Sequence, residues 1–139
     1  MRALGQIRQI DYTVIFARDM PAMRRFYEQV MEFPLLRVLS ERWVEYRVGA
    51  TTLALTVHGV RFDDPPPAKG TLSLQLAFRV PPQAVAECAA MLVSKGVELV
   101  SPLIDHPFGH RTIFFRDPDG NVLEIYAACR TGVIWKWIE

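Results

Sequence analysis

The chain has 139 residues, of which 50% are hydrophobic and 22% charged, with a formal net charge of +1. This length and composition are typical of one globular domain with a real core, and they exclude an intrinsically disordered chain. Near-neutral charge without a Lys/Arg stripe argues against a nucleic-acid partner, and no segment resembles a membrane span or a signal peptide, so we expect a cytoplasmic protein without a membrane partner.

The first half of the chain is predicted to form a strand, a helix and three further strands. Residues 8–19 form the first strand, and Asp19 caps a helix whose first turn holds Pro21. Apolar residues recur at helical spacing until Glu32-Phe33-Pro34 ends the helix. Three short strands follow at residues 35–39, 43–48 and 52–58, with a turn at Gly49-Ala50 between the last two.

The second half repeats this order after a proline-rich connector at residues 61–70. Residues 72–80 read as a strand, Pro81-Pro82 opens a helix, and Gly96 stands where a C-cap glycine belongs. The remaining strands are predicted at residues 98–101, 111–116 and 121–127. We therefore expect a single α+β domain of two βαβββ modules, at about residues 8–60 and 71–128, followed by an aromatic tail at 129–139. Pairing the two modules would curl eight strands around a cleft, with the helices on the outer face.

The hairpin between the last two predicted strands is the most informative segment. Asp117, Pro118 and Gly120 occupy the positions that a type I turn requires. Period-two alternation then places Glu124 on the same strand face as Tyr126. Since a carboxylate is costly to bury on such a face without a partner, Glu124 is a candidate site residue.

Several segments together resemble a known superfamily, and they run through nearly the whole chain to about residue 128. They are Ile10-Asp11-Tyr12-Thr13-Val14, Asp19-Met20, Phe26-Tyr27, Gly109-His110-Arg111 and Asp117-Pro118-Asp119-Gly120-Asn121-Val122-Leu123-Glu124. With these segments the chain resembles the vicinal oxygen chelate superfamily, which includes glyoxalases, bleomycin-resistance proteins and extradiol dioxygenases. The resemblance implies the fold, but no particular reaction, because one fold hosts many functions.

The resemblance also implies where a metal would bind. Metal-dependent members take ligands from four strand positions, and these correspond here to Tyr12, Ala54, Gln75 and Glu124. The family usually has His or Gln, Glu, His and Glu at these positions, so only Glu124 matches. A catalytic divalent ion needs about three firm protein ligands. We therefore expect no metal and no other cofactor; the alternative is a divalent ion held by Gln75, Glu124 and a recruited histidine.

Strand parity gives the candidate ligand-binding residues, which we expect on the cleft face or at its rim. They are Tyr12, Phe16, Trp43, Thr56, His58, Gln75, His110, Glu124 and Tyr126. Trp43 or Tyr46 closes one wall, because a one-residue shift in register exchanges their faces. This mixed aromatic and polar lining suits a small organic ligand, although aromatic residues at period two also fill ordinary cores. On the opposite face of the fifth strand, we expect the alternating residues from Leu72 to Phe78 to pack under a helix.

Three functions follow from these patterns. The first is a metal-independent small-molecule-binding protein with a dimeric cleft, similar to the bleomycin-resistance branch. The second is an enzyme of lyase, isomerase or dioxygenase type that uses Glu124 as a catalytic residue, and the third is a scaffold without a ligand. The missing ligand histidines favour the first. Trp135 and Trp137 in the tail predict a homodimer or a covered cleft mouth, because exposed tryptophans are a liability on a monomer.

Overall fold

Within residues 2–129, which the computed structural model describes, each half of the chain forms a four-stranded mixed sheet with one helix packed on it. The boundary between the two units falls between Pro66 and Pro67. The strands of the first unit, module 1, are β1 (Tyr12–Ala17), β2 (Leu35–Ser40), β3 (Trp43–Val48) and β4 (Thr51–Val57). Those of module 2 are β5 (Gln75–Arg79), β6 (Leu99–Asp105), β7 (His110–Arg116) and β8 (Val122–Ala128). The predicted α+β class and the two βαβββ modules are confirmed.

Both sheets have the same topology. The strand order is β1-β4-β3-β2 in module 1 and β5-β8-β7-β6 in module 2. In each sheet the first strand runs parallel to the last, and the other neighbours are antiparallel. The internal repeat that the sequence pattern predicts is therefore a repeat of topology.

The helix of module 1, α1 (Met20–Arg25), begins directly after Asp19, as the sequence predicts. The Asp19 carboxylate accepts a hydrogen bond from the backbone N–H of Ala22 at 3.1 Å, which satisfies one of the free donors of the first turn. The helix continues as one π-helical turn, Phe26–Val30. It ends at Glu32, whose φ of 58° is a left-handed conformation that stops helical hydrogen bonding.

The turn between β7 and β8 is built around Asp117, which is 4% exposed. Its backbone carbonyl accepts from the N–H of Gly120 at 2.9 Å, closing the predicted four-residue turn. Its carboxylate accepts from the backbone N–H groups of Asp119 and Asn121, both at 3.0 Å. These bonds fix the hairpin register, which places Glu124 opposite Phe114.

Module 2 differs from the prediction at its first strand and at its helix, α2 (Ala84–Ser94). The first strand, β5, begins at Gln75 and is therefore shorter than the predicted strand at residues 72–80. It lies at the edge of its sheet and pairs with β8, whose first residue, Val122, is the partner of Gln75. Leu72 therefore lies outside the sheet and is 58% exposed, so the prediction that it packs under a helix is wrong. Pro81 accepts a turn hydrogen bond from the N–H of Ala84 instead of lying inside the helix.

Three further expectations concern features outside the sheets. Cys88 and Cys129 are free thiols, as predicted from their spacing. None of the helices between residues 2 and 129 combines the length and the hydropathy needed to cross a bilayer. The predicted contacts of the tail, including Trp135 and Trp137, lie outside the described residues.

Candidate ligand-binding site

Module 1 carries a cavity of about 610 Å³ on the face of its sheet turned away from α1. Alternation along the strands separates the two faces: Ile15 and Leu55 are buried on the helix side, and Phe16 and Thr56 point the other way. Four of the predicted binding residues line this cavity, namely Tyr12, Phe16, Trp43 and Thr56. The cavity wall is therefore partly aromatic and partly polar.

The register of β3 decides between the two candidates for the aromatic wall. Trp43 pairs with Thr56 and lines the cavity. Tyr46 pairs with Leu53 on the other face and is fully buried. Its hydroxyl donates to the carboxylate of Glu28 at 2.6 Å, so this tyrosine joins the sheet to the π-helical turn.

The cavity contains a carboxylate that sequence reasoning missed. Glu45 lines the cavity, is 9% exposed and accepts a hydrogen bond from the Trp43 indole N–H at 2.6 Å. Its other oxygen accepts from Nε of Arg37 at 3.1 Å. The indole hydrogen bond, helped by Arg37, lowers the pKa of Glu45 against the opposing effect of desolvation. The sequence pattern could have identified Glu45 as a candidate site residue, because it alternates with apolar residues on β3 as Glu124 does on β8.

Replacing Glu45 with glutamine should destabilise the protein by about 1 to 2 kcal/mol at pH 7, because the Trp43 indole loses its charged acceptor and the bond from Arg37 no longer joins two opposite charges. The folded pKa of Glu45 is lowered, so its stabilisation is fully present above the unfolded value of about 4.3. It is lost as the pH falls through the folded pKa. Urea unfolding of both proteins should therefore show a constant difference down to about pH 5 and a shrinking one below it. A difference that does not change with pH would mean that the charge of Glu45 is irrelevant.

Two residues of the connector also line the module-1 cavity. Arg61 and Phe62 follow β4 and were predicted to belong to a polar linker. The ring of Phe62 lies 6.3 Å from that of Phe16 between centroids. The signal in the sequence is that Phe62 is the one aromatic residue of the segment 61–70.

His58 lies beside this cavity. Its ring is 5.7 Å from that of Phe16, and both border a second cavity of about 350 Å³ together with Phe62, Asp64 and Pro65. The ring of Phe16 thus forms part of the wall of both cavities.

The other four predicted binding residues lie in module 2 and form two local contacts. The side-chain amide of Gln75 donates to Glu124 at 3.3 Å. The ring of His110 stacks on Tyr126 with centroids 4.8 Å apart, and the guanidinium of Arg79 lies 5.8 Å from the centre of the same tyrosine ring. Within module 2, the predicted residues are therefore an amide–carboxylate pair and a stacked aromatic pair.

The residues at the four family ligand positions do not fit a resident divalent metal. Among residues 2–129, no group of three or more His, Cys, Asp or Glu side chains is close enough to hold an ion. Ala54 is fully buried and has no donor atom, and Tyr12 offers a phenol. Glu124 has an amide as its partner where a metal site would supply a second strong ligand.

Comparisons with known proteins agree with the two-module fold. The model of the Glyoxalase/Bleomycin resistance protein/Dioxygenase superfamily matches residues 9–125. A solved glyoxalase/bleomycin resistance protein/dioxygenase from Nocardioides is 20% identical, with 91% of this chain and 87% of that chain covered and a TM-score of 0.76. A lactoylglutathione lyase from Agrobacterium tumefaciens is 22% identical, with 95% and 99% covered and a TM-score of 0.71. Identities this low show the fold alone, and no curated protein matches the sequence.

Proposed function

Because the chain belongs to the glyoxalase/bleomycin resistance protein/dioxygenase superfamily, we propose that it binds a small organic molecule in the module-1 cavity without a metal ion. The observation that carries this proposal is the cavity itself. Its volume of about 610 Å³ lies in the range of small-molecule sites, and aromatic walls surround a few polar groups. The hydrogen bond from Trp43 to Glu45 holds the indole in place before a ligand arrives, which lowers the entropic cost of binding.

Enzymatic activity is the second candidate function. The observation that favours it is the hydrogen bond from the exposed Gln75 to the half-buried Glu124, which places a carboxylate with a neutral partner where a substrate can reach it. One neighbour of similar fold is a lactoylglutathione lyase, and this chain would then catalyse a lyase, isomerase or dioxygenase-type reaction with Glu124 as its acid or base. The binding proposal ranks first because the cavity lies in module 1, where Glu124 is absent.

Binding can be tested by titrating the full chain with cinnamamide, a neutral planar aromatic amide, in the presence of a chelator. We expect saturable changes in the amide NMR signals of β1, β3 and β4 and in the Trp43 indole N–H signal. That signal reports on the cavity directly because its proton is bonded to Glu45. Changes centred on Gln75 and Glu124 instead, or no binding of any member of a panel of aromatic amides, acids and amines, would contradict the proposal.

Metal independence needs a second measurement on the same protein. We expect elemental analysis of protein purified without chelator to find no stoichiometric transition metal, and we expect added Zn²⁺, Ni²⁺ or Mn²⁺ not to change cinnamamide binding. One bound ion per chain that is lost in Glu124→Gln would overturn the binding proposal in favour of the metal-dependent enzyme.

We also propose that the protein is a cytoplasmic homodimer. Free thiols at Cys88 and Cys129 suit a reducing compartment. Edge strand β2 exposes four large apolar side chains, which a second copy of the chain can cover: Leu35, Leu36, Val38 and Leu39. Light scattering should give twice the mass of the chain, and a monomer at working concentrations would contradict this part of the proposal.

A further inference from the structure

The charged side chains that line the module-1 cavity differ in how many hydrogen bonds they already make within the protein. Two arginines and two acidic residues line it: Arg37, Arg61, Asp11 and Glu45. Both oxygen atoms of Glu45 already accept a hydrogen bond, one from Trp43 and the other from Arg37. A cationic ligand group would have to share this carboxylate with Arg37.

The two arginines keep most of their donors. Arg37 binds Glu45 through Nε, its two terminal nitrogen atoms make no hydrogen bond with a residue of the segment 2–129, and 59% of its side chain is exposed. Arg61 makes no hydrogen bond or ion pair with any residue of the segment 2–129 and is exposed at the cavity. A guanidinium without a partner beside aromatic walls is suited to a planar oxyanion.

Asp11, the other acidic residue of the lining, accepts a hydrogen bond from the side-chain amide of Gln9 at 3.1 Å. It makes no ion pair with any residue of the segment 2–129. Its backbone precedes β1, whereas Arg61 is the neighbour of Phe62, whose ring lies 6.3 Å from that of Phe16 towards the other end of the same strand.

On the premise that the module-1 cavity binds a small molecule, we propose that its ligands are planar aromatic carboxylates. The guanidinium of Arg61, with that of Arg37, binds the carboxylate, and the rings of Phe16, Trp43 and Phe62 contact the aromatic part. Arg61 is the specificity-determining residue, and Glu45 is a positioning residue that orients Arg37 and Trp43. The connector between the modules thus supplies part of the binding site.

The test compares cinnamate with cinnamamide, which share size and planarity and differ in charge, by calorimetric titration of the full chain. We expect cinnamate to bind at least about tenfold more tightly, a difference that charge-assisted hydrogen bonds account for. Arg61→Gln should remove most of this preference, because it weakens the binding of cinnamate more than that of cinnamamide. Raising NaCl to about 0.5 M should weaken cinnamate binding selectively.

Arg25→Gln is the matched control, because it removes the same charge from an exposed position on α1, on the other face of the sheet. It should retain the full preference for cinnamate. Equal affinity of the wild type for both compounds would overturn the anion proposal and leave the binding function standing. A preference that survives in Arg61→Gln would overturn the role of Arg61, and failure of both compounds to bind would overturn the proposed ligand class, while the panel of aromatic amides, acids and amines tests the binding function itself.

Discussion

Replacing Trp43 with alanine should weaken cinnamamide binding at least about tenfold, the largest effect that we expect from one substitution in the cavity. The indole forms one wall of the cavity and is fixed by its 2.6 Å hydrogen bond to Glu45. Losing its contact area should cost about 1.5 to 3 kcal/mol of binding free energy, and about 1.4 kcal/mol corresponds to a factor of ten. Calorimetric titration measures the change.

Trp43→Phe is the control for this substitution, because phenylalanine keeps an aromatic wall and lacks the indole N–H. We expect it to retain most of the affinity for cinnamamide. If both variants bind as tightly as the wild type, the ligand does not use this wall and the cavity is not the binding site. A folded state should be checked first for both variants, since Glu45 loses a hydrogen-bond partner in each.

Replacing Tyr46 with alanine should destabilise the protein by about 3 to 5 kcal/mol, because it removes a fully buried aromatic side chain from the core of module 1. Burial raises the pKa of Tyr46, and its hydrogen bond to Glu28 raises it further, so the phenol stays protonated and remains a donor. Tyr46→Phe isolates the hydroxyl and should cost about 1 to 2 kcal/mol. Urea unfolding monitored by circular dichroism measures both changes.

The contribution of the hydrogen bond between Tyr46 and Glu28 can be tested more strictly by changing both residues. Glu28 also accepts from Nε of Arg24 at 2.8 Å, and together the two hydrogen bonds lower its pKa, although burial alone would raise it. A double-mutant cycle of Tyr46→Phe with Glu28→Ala should give a coupling free energy of about 1 kcal/mol. Purely additive effects of the two substitutions would show that the hydrogen bond between Tyr46 and Glu28 does not stabilise the fold.

Much of the fold could be predicted from local signals. Asp19 marks the start of α1 because its carboxylate can satisfy a free N–H of the first turn, and it does so. Asp117 and Gly120 predict the turn that precedes β8 because these residue types suit its backbone geometry. Such signals act within a few residues, so they can be read without knowing which strands are neighbours.

The lining of the module-1 cavity could be predicted only in part. Tyr12, Phe16 and Thr56 follow from parity along single strands, and the cavity of module 1 includes all three. The sequence places Arg61 and Phe62 in a linker, because a segment without hydrophobic periodicity does not show which part of the fold it packs against. Glu45 was missed although its position on β3 offered the same signal as Glu124 on β8.

The sequence by itself determined the order of the elements, the two-module repeat and the faces of strands whose alternation is clear. Only the tertiary structure decided whether Trp43 or Tyr46 faces the cavity, because that choice depends on the pairing of β3 with β4. It also decided that β5 begins at Gln75, since an edge strand extends only as far as its neighbour. Strand pairing joins residues that are distant in the chain, and a shift of one position reverses every side chain, so local patterns cannot fix it.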